Sequence, residues 1–235
     1  MKPSSKPRKP VSLSDSVHHR LNMYALAASA AGVGVLALAQ PSEGKIVYTP
    51  THQNIPPNSI YALDLNGDHH TDFLLVNRAP ASCGSGGLVG LSECNYRFSA
   101  SGPGRVLGIV FSDGGRDAFL LARNAPISSK GRFVSKGVLA SVRHYFSKSH
   151  SSGSKDWGYW VNKSGYLGLQ FQIHGKIHYG WARLRVKVDK RNITGILTGY
   201  AYETIPNKPI LAGKQHGGDD GIEQTTLGGL ALGRK

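Results

Sequence analysis

A short acidic loop offers the clearest metal chemistry in the chain. Oxygen-bearing side chains stand at its first, third, fifth and ninth positions, with a His at the seventh. Calcium binds about six to eight hard oxygen ligands, which alternating Asp and Asn side chains and a backbone carbonyl can supply. We therefore predict a structural calcium site. Its ligands are the side chains of Asp64, Asn66, Asp68 and Asp72 and the carbonyl of His70.

The spacing of this loop is not that of an EF-hand, because Leu75 stands where an EF-hand has its bidentate Glu. An Asp-x-Asn-x-Asp-x-x-x-Asp loop ahead of an apolar strand instead resembles the calcium loops of FG-GAP and integrin-type β-proteins. His69 takes the sixth position, which is usually Gly, and this raises the cost of the turn. The alternative is a polar turn that needs no metal. Mutual repulsion of three carboxylates favours calcium.

Two cysteines, Cys83 and Cys94, flank a Gly-rich segment. In an exported protein such a pair predicts a disulfide. Closing a loop of this size adds about 3 kcal/mol to stability in the chain-entropy model. A two-cysteine metal site is the alternative, but it lacks a nearby His ligand.

No catalytic motif is recognisable in the chain. Gly-x-Ser-x-Gly is absent. Two histidine pairs could be considered for a transition-metal site, but neither has a recognisable third ligand. We therefore interpret His69, His70, His174 and His178 as hydrogen-bonded or solvent-facing. A glycosidase needs two carboxylates brought together by the fold. The candidates are Asp113, Asp117, Asp156 and Glu203.

A basic stripe with one aromatic residue follows one face of a predicted strand. Its members are Trp181, Arg183, Arg185 and Lys187. Such a face can dock an anionic polymer, with the indole stacked on a sugar ring. The alternative, which we favour, is a solvated sheet face on which Lys and Arg stems cover apolar surface.

β-Strands must position these residues. Short apolar runs separated by Gly, Pro, Asn, Asp and Ser begin at residue 45, and several alternate with a period of two. A two-residue turn at His174–Gly175 predicts a hairpin, since both residues tolerate a positive φ. The pattern predicts an all-β fold, an antiparallel β-sandwich or jelly roll. The predicted strands are 45–49, 59–65, 73–76, 96–100, 106–111, 118–122, 137–146, 158–162, 166–174, 177–188 and 193–203.

The first 44 residues have the order of a secretory signal peptide. Five cations precede an Ala-rich apolar run at 23–39, and small-residue cleavage sites follow at Ala39 and Gly44. The run is at the short end of what spans a bilayer, so an uncleaved anchor is the less favoured alternative. We predict a β-sandwich domain over 45–205, then a linker and a degenerate sorting-like tail over 206–235. The polar segment 147–155 is predicted to be a mobile loop.

The chain is strongly basic, with 28 Lys and Arg against 14 Asp and Glu and a formal net charge of +14. Five of these cations and one carboxylate precede Gln40, which leaves the exported remainder at +10. Few charges and 30 glycines exclude a coiled coil or helical bundle, and 40% hydrophobic residues exclude a disordered chain. Outside the cytosol, the expected partner is an anionic or neutral polysaccharide or the cell envelope, and not nucleic acid.

Three blocks of the sequence lie at 37–41 with 45–50, at 63–68, and at 178–184 with 198–204. Together they resemble a family of exported bacterial β-sandwich proteins. Some of its members carry PEP-CTERM-like C-terminal sorting segments. The resemblance implies export and an all-β fold, and it implies no catalytic residue. The Pro-Glu-Pro element is absent and the apolar run 227–232 is too short to span a membrane, which predicts free secretion or periplasmic residence.

These observations predict an exported, non-catalytic β-sandwich protein stabilised by calcium. It would act as a cell-surface, matrix or glycan-binding module without a membrane span after cleavage. A secreted glycan-directed hydrolase is the alternative, and the oligomeric state stays open.

Overall fold

The computed structural model describes residues 45–80, 83–86, 91–147, 152–189 and 192–217. Within these ranges the chain forms strands and turns and no helix, so the all-β prediction is confirmed. None of the described residues forms a helix that is long and apolar enough to cross a membrane. The predicted signal peptide and the end of the predicted tail lie outside the described residues.

The strands and their bounds are, in chain order, β1 (Ile46–Ile55), β2 (Ser59–Leu63), β3 (Phe73–Arg78), β4 (Gly84–Gly86), β5 (Leu91–Val110), β6 (Arg116–Ala118), β7 (Pro126–Ile127), β8 (Phe133–Ser147), β9 (Ser152–Trp157), β10 (Ser164–Ile173), β11 (Lys176–Asp189), β12 (Asn192–Glu203) and β13 (Ile210–Leu211).

One eleven-stranded sheet runs in the order β1-β12-β11-β10-β5-β6-β8-β9, and β3 joins it beside β5 with β2 as its outer neighbour. β4 also pairs with β5, and β13 and β7 form a second, two-stranded sheet. The pairings are antiparallel apart from a parallel contact between Asp117 on β6 and Val138 on β8, so the large sheet is mixed.

The long strand β5 belongs to both layers of the fold. Its first half pairs with β3 and with most of β8, and its second half pairs with β10, β6 and the first residues of β8. Between the halves the register is irregular, and Gly102 has a φ of 143° that an L side chain rarely adopts. A Cβ at Gly102 would lie 2.8 Å from the Asp72 carbonyl oxygen, so this bend also requires a close backbone approach.

The main core lies between the layer β1-β12-β11-β10 and the layer β3-β5-β8. Gly195 on β12 faces the ring of Phe98 on β5. The buried Asn77 side chain on β3 donates to the Ile55 carbonyl at 3.1 Å and the Ile193 carbonyl at 2.6 Å, which ties the layers together. The fold is therefore sandwich-like, with an apolar interior and few buried polar groups.

A second apolar cluster covers the opposite face of β10, β11 and β12. Ile210 and Ala212 are buried there against Trp181, whose indole N–H donates to the Lys214 carbonyl at 3.1 Å. Lys208 reaches back to the buried Glu203 carboxylate at 3.3 Å. Residues 206–217, predicted as a linker, are therefore packed on the sheet domain, which extends beyond residue 205.

Several predicted elements differ from the structure in an informative way. Residues 158–162 form a turn that buries Trp160, whereas the predicted mobile loop contains strand β9, which pairs with β8. The predicted strands 96–100 and 106–111 are parts of β5. The hairpin turn is confirmed, because His174 and Gly175 have φ values of 49° and 75° between paired Ile173 and Lys176.

We expect Gly195→Ala to destabilise the fold by about 1–3 kcal/mol, because it overpacks the contact between the layers. The new Cβ would lie 2.7 Å from two carbon atoms of the Phe98 ring. Urea unfolding measures the change. Gly84→Ala is the matched control, since nothing lies within 4 Å of its added Cβ. Equal unfolding midpoints for the two variants would contradict the proposed packing.

Candidate functional site

The acidic loop joins β2 to β3 and is held by its own side chains. The Asp64 carboxylate accepts the backbone N–H groups of Gly67 and His69, each at 2.8 Å. His69 has a φ of 67°, so the non-Gly residue at the sixth position does adopt the left-handed conformation. The loop is therefore a series of Asp-capped turns, and the strain at His69 is offset by the bonds to Asp64.

The middle of the loop is exposed. Asn66 donates from its side chain to the Asp68 carboxylate at 2.8 Å, and the same carboxylate accepts the His70 N–H at 2.9 Å. These bonds, the one from Asn66 first, lower the pKa of Asp68. These hydrogen bonds therefore favour the ionised form of Asp68.

The far end of the loop is buried. Asp72 is 9% exposed, and its carboxylate accepts the Leu65 N–H at 2.8 Å. Burial, with smaller contributions from Asp64 and Asp68, raises the pKa of Asp72 to about 6. Burial first and then the charges of Asp64, Asp68 and Asp72 also raise the pKa of Tyr202 on β12.

The donor set of the loop suits a hard cation, because all of its ligand atoms are oxygen. Among the described residues, however, no three His, Cys, Asp or Glu side chains converge tightly enough to hold a metal ion as they stand. The predicted ligands are thus gathered in one loop, but their carboxylates are turned toward backbone N–H groups. The calcium site stays a prediction.

The predicted cysteine pair forms a disulfide, Cys83–Cys94, with the two Cα atoms 4.6 Å apart. It joins the start of β4 to β5, along which β4 pairs. Cys94 is buried and Cys83 is exposed. The bond therefore anchors a surface segment to the strand on which both layers depend.

The predicted basic stripe on β11 is divided by the C-terminal segment. Trp181 is only 1% exposed and packs edge-on against the ring of Tyr166, so its indole is not a platform for a ligand from solvent. Arg183 is half-buried and donates to the Thr198 hydroxyl at 2.7 Å. Arg185 and Lys187 remain exposed. This placement corrects the hypothesis that Trp181 stacks on a sugar ring.

The histidines singled out from the sequence are either hydrogen-bonded or exposed. His178 is buried and its Nδ1 lies 2.9 Å from the Glu203 carbonyl oxygen, whereas His174 is exposed in its hairpin turn. His69 and His70 are exposed in the acidic loop.

A concave surface that the sequence did not indicate lies on the outer face of β3, β5, β8 and β9. We call it the basic groove. It has a volume of about 630 Å³ in the part beside the turn after β5. A second part shares Arg97, Lys136 and Trp157 with the first. Its charged and aromatic lining consists of Arg78, Arg97, Phe111, Asp113, Arg116, Asp117, Lys136, Arg143 and Trp157.

Strand alternation explains why the groove is polar while the reverse side of the same strands is apolar. Phe98 and Ala140 face each other in the core, and Arg97, one residue earlier on β5, is exposed. Its cross-strand partner Ser141 is buried and donates from its hydroxyl to the Tyr96 carbonyl at 3.0 Å. Trp157 on β9 lies opposite Ser141, and the Arg143 guanidinium lies 5.6 Å from the centre of the indole ring. A half-buried Trp is thereby held at the edge of the groove with a cation on its face.

Two of the four candidate catalytic carboxylates, Asp113 and Asp117, line the groove, and two do not. Burial raises the pKa of Asp117, Arg97 opposes this, and Asp113 adds to it. Asp113 accepts the Gly115 N–H at 2.9 Å in the turn after β5. Glu203 is buried beside Lys208, and Asp156 lies exposed on β9 outside the groove lining.

No known protein family, curated protein or solved structure was found to match this chain. The resemblance to exported bacterial β-sandwich proteins accordingly stays a prediction from the sequence blocks.

We expect the metal-free protein to lose stability as the pH rises from about 4 to about 6. The pKa of Asp72 is about 6 in the folded state against 3.8 ordinarily. The folded state therefore binds more protons than the unfolded state in this window, and the free energy of unfolding falls by roughly 2–3 kcal/mol.

Urea unfolding in a chelating buffer measures this dependence. Asp72→Asn keeps an acceptor for the Leu65 N–H and should flatten the curve in this window. Asp113→Asn removes an exposed carboxylate and should leave it unchanged. An unaltered slope in Asp72→Asn would refute the assignment.

Proposed function

We propose that this chain is an exported, non-catalytic binding protein that holds a polysaccharide of the cell surface or matrix in the basic groove, with calcium stabilising the fold. The observation that carries the proposal is the groove itself. It is an open concavity on a sheet face with a half-buried Trp at its edge and polar side chains along its floor. Aromatic faces and polar side chains are what a sugar chain needs for stacking and hydrogen bonding.

Export is supported by two independent features. The N-terminal residues have the order of a signal peptide. The Cys83–Cys94 disulfide is compatible with an oxidising compartment. Secretion to the medium, the periplasm and the cell surface are all consistent with these features.

The groove replaces the β11 stripe as the proposed ligand site. Trp157 is half-buried beside open space, whereas Trp181 is covered by the second apolar cluster. Arg185 and Lys187 are exposed, but Trp181, the aromatic member of their stripe, is buried. They serve below as the comparison site.

We expect Trp157→Ala to reduce retention on a polysaccharide array by roughly tenfold, since loss of one stacking contact of about 1–1.5 kcal/mol weakens binding by about that factor. Phe119→Ala, which removes an aromatic side chain outside the groove lining, is the control. Circular dichroism verifies that both variants remain folded. If no polysaccharide on the array is retained by the unaltered protein, the proposed function is wrong.

Calcium is proposed to bind Asp64, Asn66, Asp68, Asp72 and the His70 carbonyl. The spacing and the all-oxygen donor set support it, together with a local excess of negative charge. Binding would require the Asp64 and Asp68 carboxylates to share their oxygens between the cation and the backbone N–H groups, which a carboxylate with about four lone-pair sites permits.

We expect millimolar calcium to raise the Tm, with about 2.7 kcal/mol of stabilisation at a hundredfold excess over Kd. Asp64→Asn and Asp68→Asn should abolish the rise. Asp113→Asn, which alters a similar N–H-capping carboxylate in another turn, should retain it. The absence of any shift in the unaltered protein would eliminate the calcium site.

A glycan-directed hydrolase is the second candidate, favoured by Asp113 and Asp117 lying in one groove and by the raised pKa of Asp117. Asp117 would be the general acid and Asp113 the base or nucleophile. Release of reducing ends from any retained polysaccharide should then disappear in Asp117→Asn and persist in Asp156→Asn. Retention without release favours the binding protein.

A further inference from the structure

The cations of the basic groove are largely without counter-charges. Within the described part of the chain, Arg78, Arg97, Arg116 and Lys136 form no ion pair within 4.0 Å. Arg143 pairs with Glu93 at 2.8 Å, but that Glu93 oxygen also accepts from Asn95. Asp113 and Asp117 also line the groove and offset part of this positive charge, but the cations outnumber them.

Cross-strand pairing places like charges directly opposite one another. Arg78 on β3 faces Arg97 on β5, and Arg143 on β8 faces Lys155 on β9. Directly opposed like charges destabilise a sheet. Arg143 already has Glu93 as a counter-charge, whereas neither Arg78 nor Arg97 has an ion pair among the described residues. The Arg78–Arg97 pair therefore lowers the stability of the free protein, and an anion placed between the two side chains would relieve the repulsion.

The arrangement spans several strands rather than one point. Five strands, β3, β5, β6, β8 and β9, contribute cations or the Trp. The successive neighbours β3, β5, β8 and β9 lie about 4.8 Å apart, so the face extends roughly 15 Å across the sheet. A single phosphate or sulfate cannot reach all of these positions. A chain that carries negative groups at intervals can.

The hydrogen-bond donors and the aromatic side chain of the groove further restrict the chemical class of the ligand. Guanidinium groups bind carboxylate and sulfate groups through paired N–H donors, while a Trp face stacks on a sugar ring. Sequence-tolerant binding of single-stranded nucleic acid instead uses a succession of stacking aromatics, whereas the described lining of this groove has two aromatic side chains, Trp157 and Phe111. Resting on the proposed function, this chemistry favours an acidic polysaccharide.

We propose that the basic groove binds an acidic polysaccharide, one with carboxylate or sulfate groups along its chain, through Arg78, Arg97, Lys136 and Arg143, with Trp157 against the sugar. The cross-strand arginine pair is kept at a cost in stability because the ligand lies between the two side chains. Specificity comes from the charge of the polymer, and the aromatic side chain contributes affinity for the sugar backbone.

The test uses the full chain and three immobilised polymers with one backbone: dextran, carboxymethyl dextran and dextran sulfate. We expect at least tenfold tighter binding to a charged dextran than to neutral dextran, with an affinity that falls as salt rises. Whether carboxylate or sulfate binds better identifies the anionic group. Arg97→Glu with Lys136→Glu should lower the affinity at least tenfold.

A matched control changes the charge of the protein by the same amount at the other exposed basic site. Arg185→Glu with Lys187→Glu should bind charged dextran within about twofold of the unaltered protein. Arg78→Glu alone should also raise the Tm, since it turns the like-charge pair with Arg97 into an opposite-charge pair. Weaker binding in a more stable protein is an outcome that misfolding does not produce.

Three results would overturn the inference, and they are distinct from failure of the proposed function. Equal binding of neutral and charged dextran, still sensitive to Trp157→Ala, leaves a polysaccharide-binding protein but removes the anionic ligand. Equal losses of affinity for charged dextran in the two double variants show that binding depends on the overall charge of the protein and not on a site in the basic groove. Tighter binding of single-stranded DNA than of dextran sulfate identifies a nucleic-acid ligand. Loss of all polysaccharide binding, on the array as well, refutes the proposed function itself.

Discussion

The backbone hydrogen bonding of β5 is the constraint on which the rest of the fold depends. A strand of twenty residues would carry too many unpaired N–H and C=O groups if its neighbours lay in one short layer. β5 instead bends near Gly102, pairs with β3 before the bend and with β10 and β6 after it, and pairs with β8 on both sides. The bend brings the two layers face to face, and their apolar sides form the core. It also lies against Asp72, so the acidic loop is anchored to the same strand.

The alternation of side chains along β5 then couples the core to the basic groove. Phe98 is fully buried, and Arg97, one residue earlier, points to solvent. The register that packs Phe98 against Gly195 is thus the register that places Arg97 opposite Arg78. A slip of one residue would reverse both faces. The apolar core therefore supplies the rigidity that holds the cations of the groove close together despite their repulsion.

β11 is buried on both faces, so its alternating pattern predicted the core-facing residues correctly but not the burial of the opposite face. Leu184 and Val186 face the core, as their alternation predicts. The alternating partners were expected to face solvent, yet Trp181 is covered by the segment that contains Ile210 and Ala212. That segment has only two strand residues and many turn formers, so its composition indicates a linker. Its position is decided by the apolar surface beneath it and by the bond from Trp181 to the Lys214 carbonyl.

Local chemistry was determined by the sequence itself. The period-two alternation, the His174–Gly175 turn and the cysteine pair all depend on residues that are neighbours in the chain or closed by a short loop, and each is found in the structure. The acidic loop likewise keeps its predicted ligands together in nine consecutive residues. The basic groove was decided only by the tertiary structure. Arg78, Arg97, Lys136 and Trp157 come from four strands, and none of them stands out in its own segment. They lie together because strand pairing brings the four strands side by side, and burial of the opposite face places these side chains on the exposed face.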